Sequence, residues 1–143
     1  MNKLLLIAFS FLLSCGSTKQ VDTSNTTPII TLQRTACYGT CPIYKIKIYS
    51  DGSGIYTGTR FVENIGIFKF QLSKQAIEQI LTAAIAINFA NMQDEYYEPI
   101  SDLPTTYIRI KDKKIRGYSG APKPLKKLEK LIDQLYLEAT EKL

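Results

Sequence analysis

The chain of 143 residues has room for one domain of ordinary size. It contains no histidine, which excludes Ser-His-Asp and Cys-His catalysis, histidine-ligated zinc and a histidine proton switch. Its net charge of +5 is too small to argue for nucleic acid and fits a protein working near an anionic envelope surface.

Met1-Asn2-Lys3 is a short positive start, followed by an apolar run from Leu4 to Leu13. A helix needs ~20 apolar residues to cross a bilayer, and this run has the length of a signal-peptide core instead. It ends in Leu12-Leu13-Ser14-Cys15-Gly16, which resembles the bacterial lipobox. The resemblance implies a signal peptide over 1–14, diacylglycerol on Cys15, and membrane attachment through that lipid. Residues 16–27 are polar and rich in Ser and Thr, with no apolar period, so 15–28 reads as a flexible tether. No Asp follows Cys15, which by analogy with other bacteria places the protein at the outer membrane, facing the periplasm.

Residues 29–143 read as a single α+β domain. Ile29 to Leu32 is a short strand, and Ile43 to Tyr49 alternates with period two. Asp51-Gly52-Ser53-Gly54 is a turn, not a phosphate loop, since it lacks the Lys and the following helix. Ile55 to Phe61 returns as a hairpin strand, and Gly66 to Leu72 alternates again with Phe68, Phe70 and Leu72 together. Ser73 is placed to cap a helix whose stripe is Ala76, Ile77, Ile80, Leu81, Ala84 and Ile85, ending near Asn88. Phe89 to Pro104 reads as irregular. Thr106 to Ile110 and Ile115 to Tyr118 form a second hairpin, and a last helix opens at Pro124 with a stripe of Leu125, Leu128, Leu131, Ile132, Leu135 and Tyr136. The order β-β-β-β-α-β-β-α predicts an antiparallel sheet with both helices on one face. The other face then carries Lys45, Lys47, Tyr49, Lys69, Tyr107, Arg109 and Arg116.

Cys37 and Cys41 remain once Cys15 is set aside. A local disulfide suits an oxidising compartment. The Cys-x-x-x-Cys-Pro spacing also fits soft-metal handling, copper above all, although the class that uses it adds a histidine missing here. A redox dithiol more often has closer spacing at a helix start. All three readings stay open at this level.

Cys37-Tyr38-Gly39-Thr40-Cys41-Pro42-Ile43-Tyr44, then Ile46 to Ile48, then Asp51-Gly52-Ser53-Gly54 with Tyr56 and Gly58, resembles the opening signature of a bacterial domain-of-unknown-function family found in secreted proteins and lipoproteins. Asp102-Leu103-Pro104 and the basic strand pair before the last helix add to the likeness, which spans Ile29 to the C-terminus. It implies that the cysteine loop is a family feature, and it implies no activity.

Asp94, Glu95, Glu98 and Asp102 surround Tyr96 and Tyr97 at spacings that match no calcium loop, so they read as a solvated acidic stretch. Arg109, Lys111, Lys113, Lys114, Arg116, Lys123, Lys126, Lys127 and Lys130 make the second half basic. Export argues against nucleic acid and for an envelope protein or an anionic envelope polymer as partner. No catalytic set, metal set or cofactor motif is visible. The expected role is a non-enzymatic binding or structural module of the envelope, with Lys45, Lys47, Tyr49, Tyr96, Tyr97, Tyr107 and Arg109 as candidate surface. The alternative is a thiol-based metal or redox carrier using Cys37 and Cys41.

Overall fold

The computed structural model describes residues 27–141. The expected signal peptide, Cys15 and most of the tether lie outside these residues. The strands are β1 (Ile30–Arg34), β2 (Ile43–Ile48), β3 (Ser53–Arg60), β4 (Gly66–Gln71), β5 (Glu95–Tyr96), β6 (Thr106–Ile110) and β7 (Lys113–Gly117). The helices are α1 (Lys74–Ala86) and α2 (Lys123–Thr140), with a short 3-10 turn at Phe89–Asn91.

One seven-stranded sheet runs in the order β4-β3-β2-β1-β6-β7-β5. The first strand therefore lies in the middle, paired antiparallel to β2 on one side and β6 on the other. Period two decides which face is buried. Ile30, Leu32, Ile46, Ile48, Ile108 and Ile115 all point one way and are at most 1% exposed. Both helices cover that face, so sheet and helix stripes share one core.

The expected strand order is incomplete in one respect. The stretch read as irregular contains β5, which pairs parallel to β7, so the sheet is mixed. With two residues, β5 is too short to show an alternation. It forms because the outer edge of β7 offers free backbone groups. The Arg116 N–H donates to the Asp94 carbonyl at 2.8 Å, and the Tyr118 N–H donates to the Tyr96 carbonyl at 2.9 Å.

The helix signals work locally as sequence predicts. The Ser73 hydroxyl accepts from the Ala76 N–H at 3.1 Å, satisfying one orphan donor of α1. Asn88, just past the end of α1, takes the left-handed conformation at φ 56° that Asn tolerates better than most residues. Pro124 sits in the first turn of α2, where its missing N–H is not needed. Two apolar side chains depart from their expected places. Ile85 is 79% exposed at the end of α1, and Phe68 is 40% exposed because β4 is the sheet edge.

The β3–β4 end of the core is aromatic. Tyr56 stacks on Tyr136 with centroids 4.5 Å apart, and Phe70 meets Tyr136 edge-on at 5.1 Å. Phe70 lies over Gly54, its cross-strand partner. A Cβ on Gly54 would stand 2.2 Å from the Phe70 ring, so the ring occupies the space that the glycine leaves.

Candidate functional site

Two features stand out from this scaffold: the sheet face that no helix covers, and a polar cluster at the end of the core beside the cysteine loop.

The uncovered face follows from register. Lys114, Arg109, Thr31, Lys47, Ile55 and Lys69 form one transverse row across six strands. A second row runs through Glu95, Arg116, Tyr107, Gln33, Lys45, Thr57 and Ile67. Six cations thus share a face with one carboxylate, and that carboxylate is taken, since Arg116 pairs with Glu95. The Lys114 ammonium sits 4.8 Å from the centre of the Tyr107 ring. Arg109 donates to the Lys111 carbonyl at 3.3 Å and, closer still, to that of Pro28. Lys45, Lys47 and Lys69 form no ion pair among the described residues.

The expected surface residues divide. Lys45, Lys47, Tyr107 and Arg109 come together on this face, and Tyr49 continues the same alternation just past β2, half-buried. Tyr97 is 59% exposed. It stacks on Tyr118 at 5.4 Å, with the Arg116 guanidinium 6.0 Å from its ring. Tyr96 instead packs against the core. The acids do not converge. Asp94 holds Lys113 at 2.5 Å, Glu95 holds Arg116, and Glu98 accepts from the Ser119 hydroxyl at 2.9 Å. Asp94 and Glu95 thus serve as counter-charges on β7.

The polar cluster was not anticipated from sequence. Arg34 ends β1 on the helix-facing side. Its guanidinium donates to Asp133 at 2.8 Å, to Glu129 at 3.4 Å, to the Thr106 hydroxyl at 3.2 Å and to the Tyr44 hydroxyl at 2.7 Å. Tyr44 in turn donates to the other Asp133 oxygen at 2.7 Å. Burial alone would lower the Arg34 pKa, but Asp133 and Tyr44 outweigh it and hold it above the ordinary value. Burial also raises the Tyr44 phenol, and its hydrogen bond to Asp133 adds to that. Glu129 is pushed above the usual carboxylate range by burial, against the pull of Arg34. Its side chain lines a surface cleft of about 330 Å³ together with Arg34, Thr106 and Lys130. Every charge in the cluster already has a partner, so the arrangement ties β1, β2, β6 and α2 together.

Cys37 and Cys41 form a disulfide with Cα atoms 5.7 Å apart. The bridge closes the tip of the β1–β2 connection, whose start is clamped by Thr35 and Thr105. The Thr35 N–H donates to the Thr105 carbonyl at 3.0 Å, and the Thr105 N–H donates to the Thr35 hydroxyl at 3.1 Å. Tyr38, inside the bridge, is 89% exposed. Among the described residues no three His, Cys, Asp or Glu side chains converge as a metal site, and no helix is long and apolar enough to cross a membrane.

The family model described as a domain of unknown function, DUF6438, matches residues 28–136. The chain belongs to the DUF6438 family. The match takes in the cysteine loop, the whole sheet and α2 as far as Tyr136, so both the open face and the polar cluster lie within the DUF6438 domain. No curated protein and no solved structure matches the chain.

Proposed function

We propose that this DUF6438 protein is an exported lipoprotein, anchored through Cys15 at the outer membrane and facing the periplasm, whose domain is a non-enzymatic binding module. The observation that carries this reading is the open sheet face. When helices cover one face of a largely antiparallel sheet, the other is commonly solvated and polar. Here it carries Lys45, Lys47, Lys69, Arg109, Lys114 and Arg116 against the single carboxylate of Glu95. Such a face complements an anionic envelope polymer or the acidic face of an envelope protein, and charge complementarity of this kind sets encounter rate and specificity. The polar cluster supports the same reading, because its acids and its arginine are spent on one another.

The second reading, a thiol-based carrier, has one observation in its favour: the Cys37–Cys41 bridge, with both cysteines half-buried, closes a loop whose tip at Tyr38 is 89% exposed.

Intact-mass analysis of protein taken from native envelopes, with thiol labelling before and after mild reductant, separates the two. An acylated Cys15 and a bridge that stays closed support the binding module. Thiols that open readily and take up Cu(I) make the protein a carrier and overturn it.

A further inference from the structure

We infer that the open sheet face is the side on which the domain lies against its own membrane, with anionic phospholipid headgroups as the occupant. This names anionic phospholipid, in place of a polymer or a protein, as what the basic face of the binding reading meets, and it rests on the lipid anchor proposed there.

Three observations converge. The first is where the chain arrives. Arg109, in the outer basic row, donates to the Pro28 carbonyl, and the Lys111 N–H donates to Ile29 at 2.7 Å. The segment leading back to Cys15 therefore leaves the domain at the end of the sheet that carries this row. Twelve residues separate Cys15 from Pro28. Even fully extended, the thirteen Cα–Cα steps reach about 45 Å, so a lipid on Cys15 keeps the domain within that distance of the headgroups, with the chain arriving beside this row.

The second is charge. The row through Lys114, Arg109, Lys47 and Lys69 crosses six strands, a width of about 24 Å at the usual strand spacing, and contains no carboxylate. A long cationic row without a carboxylate matches an extended array of phosphates better than it matches a compact acidic site. Its attraction acts only within about a Debye length, roughly 8 Å at physiological salt, a gap that the tether can close.

The third is apolar. At the β4 edge of the same face, beside Lys69, Ile67 is 75% exposed, and Ile65 before it is 67% exposed. Bare isoleucines flanked by lysine suit the boundary between headgroups and acyl chains, where apolar burial and electrostatic attraction add.

The test uses the mature acylated protein in vesicles of phosphatidylcholine alone, and of phosphatidylcholine with one part in three phosphatidylglycerol. Amine labelling is read lysine by lysine. Lys47, Lys69 and Lys114 should lose labelling severalfold on the anionic vesicles, and regain it in high salt. Lys123, Lys127 and Lys130 on α2, across the core, should label equally throughout. A Lys47→Glu/Lys69→Glu variant should lose the protection of Lys114. Equal labelling of the face on both vesicles overturns the inference. Protection in native envelopes without protection on vesicles also overturns it, and assigns the face to a protein or polymer. A mature protein that lacks the acyl mass fails earlier, at the anchor, and takes this inference with it.

Discussion

Arg34 on β1 and Asp133 on α2, separated by 99 residues in sequence, meet at 2.8 Å across the end of the core. The pair links the first strand of the sheet to its last helix, and the Arg34 side chain is only 24% exposed. Removing one partner of such a pair leaves the other charge poorly solvated. Arg34→Met is expected to cost about 2–3 kcal/mol, below the full value for a buried pair because a quarter of the side chain reaches water. Urea unfolding measures it. A cycle with Asp133→Asn should show coupling, whereas additive losses would mean that the contact contributes nothing of its own.

Glu129 gives a pH signature. Burial raises its folded-state pKa above the ordinary 4.5, so the folded state holds the proton more tightly than the unfolded chain. Its ionisation therefore works against folding: the associated stability is present at low pH and is lost as pH rises through the raised folded value. Glu129→Gln removes this penalty. Relative to the parent, the variant should gain stability as pH rises above 4.5, and the two should converge at lower pH. A pH-independent difference would show that Glu129 ionises in the folded state as it does in the unfolded chain.

Gly54→Ala tests the aromatic end of the core. The new methyl would stand 2.2 Å from the Phe70 ring, and that ring is held edge-on by Tyr136. Overpacking of this kind costs about 1–3 kcal/mol. Thermal unfolding should fall accordingly, and Gly54→Ala/Phe70→Leu should recover part of the loss.

The Cys37–Cys41 bridge closes a very short loop. The chain-entropy model gives about 2 kcal/mol for it. Cys37→Ser/Cys41→Ser should lower the unfolding free energy by that amount and leave the labelling pattern of the open face unchanged. A change in that pattern would tie the loop to binding.

Much of this architecture was legible because period two and period 3.6 change cleanly along the chain. The open face was readable from Lys45, Lys47, Tyr107 and Arg109, since each alternates with an isoleucine whose burial fixes the parity. The polar cluster had a signal too, but a divided one. Arg34 holds the helix-facing parity of Ile30 and Leu32, and Glu129 falls on the apolar stripe between Leu128 and Ile132. Each looks like a flaw in its own pattern, and only the fold shows that the two are partners. Strand β5 had no signal, because its pairing comes from the needs of β7 and not from its own side chains. Ile85 and Phe68 mislead for the opposite reason: their spacing is right, but the helix end leaves Ile85 bare and the sheet edge leaves Phe68 only partly covered, beside Tyr56.

The central place of the first strand fixes an order of assembly. Ile30 is paired on one side with Ile48 and on the other with Ile110, eighty positions away. A chain delivered N-terminus first can build the β1–β4 meander early, yet one flank of β1 stays open until β6 arrives. Contacts of such long range close slowly and late. Until then the sheet has neither its far half nor the α2 cover that seals its core. A fragment ending before Thr106 would thus present a raw inner edge where the finished domain has its most protected strand. The central strand is therefore secured only once the second half of the chain has been delivered.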